Sequence, residues 1–159
     1  MGRVEIKMMK DIYTEILAES KEIINSSLSL NTKLINICEI IHNKMEYYHW
    51  VGFYLVSRED KLILGPYSGE STEHKEIKFG EGICGQAAKE ERTFIIDNVL
   101  LEENYLSCSS KVKSEIVVPV YKNGKITAEI DIDSHEESAF KDSDKNFLEK
   151  LSEMLSEVF

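Results

Sequence analysis

The sequence predicts an α+β domain: an antiparallel β-sheet with N-terminal and C-terminal helices packed on it. Three observations predict it. Apolar residues in the first third recur at helical spacing. From Trp50 the pattern changes to short β-type runs separated by turn signals, and the C-terminal stretch DSDKNFLEKLSEMLSEVF returns to a helical stripe. The resulting order, α-α-β-β-β-α-β-β-β-α, lacks the regular strand–helix alternation of a doubly wound parallel sheet. A chain of 159 residues is expected to form a single domain, 1–159, with a helical part at 1–48 and the sheet, site and C-terminal helix in 49–159.

The first helix is expected from Lys7 to about Asn25, with Met9, Ile12, Ile16, Leu17, Ile23 and Ile24 as its apolar positions. SSLSLN interrupts it. A second helix runs from about Thr32 to Met45 behind Asn31 as N-cap, and places Leu34, Ile37, Cys38 and Ile41 on one face. WVGFYLVS and KLILGPYSG form a hairpin, HKEIKF a short strand, GICGQAAKEE a helix starting near Ile83, and RTFIIDN a further strand. LLEENYLSCSSKVKS is a loop. EIVVPVYKNGKITAEIDIDS is a hairpin across KNGK, with Pro119 marking an edge position or a bulge. In the last helix Phe147, Leu148, Leu151, Met154, Leu155 and Val158 share a face, capped by Ser143 or Asp142.

Charge and composition exclude several functions. A net charge of -10 does not suit a nucleic-acid surface, which needs clustered Lys and Arg, and it disfavours an anionic membrane. No run of about eighteen apolar residues spans a bilayer and the N-terminus carries no secretory signal, so a cytoplasmic protein is expected. In that compartment the three cysteines are expected to be reduced, and a disulfide to be transient or catalytic.

The chemistry-bearing residues fall into three groups. Cys84, in FGEGICGQAA, follows glycines at a helix start, where the helix dipole would favour a thiolate; packing space alone would also explain it. Cys108 lies among Ser107, Ser109, Ser110, Lys111 and Lys113, the setting of an accessible thiol, whereas Cys38 has apolar neighbours and belongs to the core. Glu129, Asp131 and Asp133 alternate along one strand and so share a face. An ordinary sheet would turn that face to solvent. With Glu115 on a partner strand, it could instead bind an ammonium or keep a carboxyl protonated at neutral pH. No C-x-x-C, H-x-x-x-H or EF-hand spacing occurs, so no metal is expected.

Taken together, WVGFYL, LILGPYSG, FGEGICGQAA, SCSSKVKSEIVVPV and EIDIDS resemble the GAF-domain free methionine-(R)-sulfoxide reductases, in their two-cysteine branch. The resemblance implies reduction of the free amino acid sulfoxide without a cofactor. Cys108 is then the nucleophile that becomes a sulfenic acid, Cys84 the thiol that resolves it as a disulfide, and thioredoxin the external reductant. It implies that Glu115 serves the sulfoxide oxygen and that Asp131 and Asp133 hold the ammonium. Asp97 would lie near the pocket, with Trp50 and Tyr54 around the S-methyl group. A homodimer is a further implication. His74 stands where many members carry a third cysteine, and Ser109 where Asp commonly follows the nucleophile. The alternative is a non-catalytic GAF module that senses a small molecule or redox state.

Overall fold

The computed structural model describes residues 2–58, 60–106 and 109–159. Helix α1 (Arg3–Ile24) and helix α2 (Leu30–Lys44) lead into strands β1 (Trp50–Ser57), β2 (Lys61–Ser68) and β3 (Glu76–Lys78). Helix α3 (Gly82–Glu90), strand β4 (Phe94–Ile96) and a 3-10 turn at Val99–Leu101 follow. The long hairpin β5 (Ser114–Lys122) and β6 (Lys125–Ser134) precedes helix α4 (Asp142–Leu155). All pairings are antiparallel and the strand order is β3-β2-β1-β6-β5-β4. This is the α+β architecture the sequence predicts. Asn123 and Gly124 both take positive φ in the KNGK turn, as a two-residue hairpin turn requires.

Alternation along β1, β5 and β6 divides the sheet into two faces. Val51, Phe53, Ile116, Val118, Val120, Ala128, Ile130 and Ile132 point into a core closed by α1, α2 and α4. Leu34, Ile37, Cys38 and Ile41 of α2 and Phe147, Leu148, Leu151 and Leu155 of α4 fill it, as their helical spacing predicts. Each fully buried aliphatic side chain there contributes about 1.5–3 kcal/mol of transfer free energy. One polar hub ties the helices together. Buried Asp144 accepts from Tyr13 (3.0 Å) and Tyr48 (2.6 Å), and also from Tyr47, while the Lys141 N–H donates to its other oxygen at 2.8 Å.

Three expected boundaries differ. α1 begins at Arg3 rather than Lys7. Ser29, not Asn31, caps α2, because its hydroxyl accepts from the Thr32 N–H at 3.3 Å. Lys141 is the N-cap of α4, so Asp142 and Ser143 lie inside its first turn, where the acidic residue suits the helix dipole. Pro119 agrees with its expected edge position: β5 has neighbours on both sides, but β4 begins opposite Val117, so one side of β5 is unpaired at the proline. The register shift follows at Val120/Tyr121. Among the described residues no helix is long and apolar enough to cross a membrane.

Candidate active site

The second face of the sheet carries the candidate chemistry. On it lie Trp50, Gly52 and Tyr54 of β1, Glu115 and Val117 of β5, and Glu129, Asp131 and Asp133 of β6. β6 is a central strand, so its acids face neighbours from both sides. Asp133 sits opposite Trp50 and Glu115, Asp131 opposite Gly52 and Val117, and Glu129 opposite Tyr54 and Pro119. The face is not solvated. α3 packs across β3, β5 and β6, and Glu115 (6%), Glu129 (0%), Asp131 (2%) and Asp133 (3%) are all buried.

α3 delivers Cys84 onto this acid row. The helix sits close because position 85 is glycine: a Cβ there would come within 2.5 Å of the Lys78 carbonyl oxygen. Asn104 clamps the following loop to the helix start, accepting from the Gly82 N–H at 3.0 Å and donating to the Gly80 carbonyl at 2.7 Å. The Cys84 thiol, 4% exposed, then donates to Glu115 Oε1 at 3.9 Å. Cys84, Glu115 and Asp131 each bring one donor atom within 4.8 Å of the others. Among the described residues they are the one grouping that could hold a metal ion, with a donor set suited to a thiophilic divalent cation. Sequence spacing could not show it, because the three come from α3, β5 and β6.

The electrostatics of this cluster follow from burial. Burial pushes the Cys84 thiol well above the ordinary cysteine range, and the charges of Asp131 and Glu115 push it further. The thiolate character expected from the helix dipole is therefore overturned. Burial likewise raises Asp131, partly offset by hydrogen bonds from Glu115 and Cys84. Glu129 and Asp133 are held well above the carboxylate range, by burial first and then by the charge of Asp131. Among the described residues neither Glu129 oxygen nor Asp131 Oδ1 meets a donor at hydrogen-bonding distance; the Cys84 thiol lies close enough to Glu129 to offset part of that cost. Burial thus shifts Glu129, Asp131 and Asp133 toward their protonated forms beside a thiol that it keeps from ionising.

Two cavities open on this face. One of about 20 Å³ is lined by Tyr54, His74, Ile83, Cys84, Leu106, Glu115 and Asp131, enough for about one oxygen-sized group. His74 thus borders the cluster, and its carbonyl accepts from the Tyr54 hydroxyl at 2.8 Å. The other, of about 320 Å³, is walled by Trp50, Val112 and Asp133 and bordered by Glu70, Ser71, Thr72, Ser109 and three histidines. The Trp50 ring stacks on Tyr67 at 5.3 Å and lies over Gly52, where a Cβ would come within 2.3 Å of it. Its indole N–H donates to the Glu70 carbonyl at 2.9 Å.

Of the residues singled out from sequence, Cys84, Glu115, Asp131 and Tyr54 meet at the small cavity, while Trp50 and Asp133 line the large one. Asp97 is not brought to either: it is exposed beyond β4, where its carbonyl accepts from the Ser138 N–H at 2.9 Å. Cys108 lies outside the described residues. Cys38 is fully buried in the opposite core, as expected. No motif or spacing singles out Asn104 or the histidines around the large cavity.

The GAF domain model matches residues 11–159. The chain is 32% identical to GAF domain-containing protein A of Dictyostelium discoideum over 143 residues, which is 90% of this chain and 89% of that protein. It is 41% identical over 111 residues to free methionine-R-sulfoxide reductase of Saccharomyces cerevisiae, covering 68% of this chain and 61% of the yeast protein. The free methionine-R-sulfoxide reductase of Neisseria meningitidis, solved in complex with its substrate, superimposes with a TM-score of 0.87 at 32% identity, covering 92% of this chain and 87% of that one. The chain belongs to the GAF domain family and stands within it beside the free methionine-R-sulfoxide reductases.

Proposed function

We propose that the chain reduces free L-methionine-(R)-sulfoxide to methionine. The observation that carries this is the buried Cys84 thiol, 3.9 Å from Glu115 and flanked by Glu129, Asp131 and Asp133, whose carboxyls burial shifts toward the protonated form. A sulfoxide needs protons on its departing oxygen, and neutral carboxylic acids in a dry cavity supply them. In the first step the Cys108 sulfur attacks the sulfoxide sulfur. An acid protonates the oxygen and regains the proton of the Cys108 thiol. The transient S–S bond and the S–O bond of the substrate both break as oxygen passes to Cys108 as a sulfenic acid, and the thioether leaves, reduced by two electrons. Glu115 and Asp131, which border the small cavity, serve the oxygen, and Asp133 in the larger pocket receives the ammonium. An arriving ammonium lowers the pKa of Asp133 and takes it as carboxylate.

In the second step the Cys84 S–H and the Cys108 S–OH form a disulfide and release water. A thiol whose pKa is raised this far is a poor first nucleophile, which fits Cys84 to the resolving role. A dithiol of the thioredoxin type then reduces the Cys84–Cys108 bond, completing conversion of sulfoxide and dithiol to thioether, disulfide and water. The test is NADPH consumption with thioredoxin and thioredoxin reductase. The (R) epimer of free methionine sulfoxide should be consumed, the (S) epimer should not, and Cys108→Ser should abolish turnover. If neither epimer is consumed while oxidant still joins the two cysteines, the protein is a redox-sensing GAF module and not a reductase.

A further inference from the structure

We propose that His49 and His135 receive the α-carboxylate of a free amino acid in the larger pocket. This deepens the reductase reading and rests on it only for the identity of the substrate's side chain. The pocket has two signs of lining. Asp133 offers an acid, Glu70 a carboxylate already paired with the Lys111 ammonium at 3.0 Å, His42, His49 and His135 offer imidazoles, and Trp50 and Val112 give apolar walls. A phosphate or a dicarboxylate would meet the Asp133 carboxyl at its own expense, and a simple amine would leave the imidazoles unused. A zwitterion matches both, with an ammonium for Asp133 and a carboxylate for the histidines.

The two rings are set for that task. His49 and His135 stack with centroids 4.0 Å apart and planes 8° from parallel. The His135 main-chain N–H donates to His49 Nδ1 at 3.0 Å. An accepting Nδ1 places the remaining proton on Nε2, so His49 presents a donor to the pocket rather than a lone pair. His42 backs the pair, its Nδ1 paired with the Ser68 hydroxyl at 2.6 Å. Burial lowers His42 and His135 from the ordinary histidine range, so it is an incoming anion that favours their protonated forms. Among the described residues no three ligand atoms gather in this pocket as they do at Cys84, so the histidines do not read as a metal site. A methionine sulfoxide inside a polypeptide has neither the free ammonium nor the free carboxylate, so the same pair makes the pocket selective for the free amino acid.

Trp50 is the chain's one tryptophan and lines the pocket, so its fluorescence reports binding without turnover. The reduced protein is titrated with L-methionine and with L-methioninamide, which keeps the amine and thioether but lacks the carboxylate. The wild type should prefer methionine by at least about tenfold, the worth of one charge-assisted hydrogen bond. In the double variant His49→Asn, His135→Ala the asparagine oxygen can still accept the backbone N–H. That variant should bind methionine at least about tenfold more weakly and the amide within about twofold of wild type. Equal weakening for both ligands would make the histidines a packing device and overturn the proposal. A retained preference in the variant, or no preference or no binding in the wild type, would overturn it as well. Turnover of the (R)-sulfoxide is scored separately: turnover without a carboxylate preference removes this proposal alone, and a preference without turnover removes the reductase alone.

Discussion

The two faces of one sheet follow opposite rules. Toward α1, α2 and α4, strands β1, β5 and β6 present aliphatic and aromatic side chains that are almost wholly excluded from water. Toward α3 the same strands present four buried acids, two of which hold oxygens that meet no donor among the described residues. Burying a carboxyl without a full set of partners costs stability, whereas burying Ile130 or Phe53 adds to it. The first face therefore supplies the stability that lets the second hold groups in unfavourable protonation states. Core and candidate site are separated by the two-residue period of a strand: Ile130 and Ile132 lie in one, Glu129, Asp131 and Asp133 in the other.

That division can be broken from either side. The largest expected effect is on the acid face. Asp131→Asn keeps the shape but removes a titratable proton, and should lower kcat/KM for the (R)-sulfoxide by at least about 100-fold with no loss of stability in urea. A loss under tenfold would take proton delivery away from Asp131. On the helix face Leu148→Ala should cost about 2–5 kcal/mol in urea unfolding while leaving KM unchanged. Asp144→Asn removes the charge that Tyr13, Tyr47 and Tyr48 share, and should cost about 1.5–3 kcal/mol. Unchanged stability there would make the tyrosine hub incidental to the core.

The smallest effect is the one that sharpens the contrast through pH. In the unfolded chain Glu129, Asp131 and Asp133 ionise near pH 4; in the folded chain burial keeps them protonated to higher pH. The native state thus binds more protons, and the stability linked to these groups is full below about pH 4 and lost as pH rises toward their folded values. Glu129→Gln removes one of them. It should leave stability near pH 4 almost unchanged and raise it progressively as pH climbs to 8. A variant that tracks the wild type across that range would show that Glu129 is ionised in the folded protein.

Much of the fold was legible in the sequence because each helix face and each hairpin announces itself locally. The 3.6-residue stripes of α2 and α4 and the KNGK turn needed only neighbours in sequence. The acid alternation in AEIDIDS was equally plain, but whether it faced water or protein was not. That depended on β6 lying at the centre of the sheet beneath α3, a placement decided by long-range pairing. The same limit explains Cys84. Its position at a helix start suggested a lowered pKa, whereas the acids that raise it come from strands β5 and β6, thirty and more residues away in sequence. The tyrosine hub escaped notice because Tyr13, Tyr47 and Tyr48 meet Asp144 only across the packed helices. His49 and His135 are separated by the whole sheet in sequence and stack only because β1 begins where β6 ends.

The most direct measurement is a single turnover with no external reductant. Fully reduced protein mixed with free L-methionine-(R)-sulfoxide should release one methionine per chain, lose two hydrogens in mass, and yield a peptide pair joined through Cys84 and Cys108. Release of no methionine with both thiols intact would contradict the account, whatever reductant or partner is later supplied.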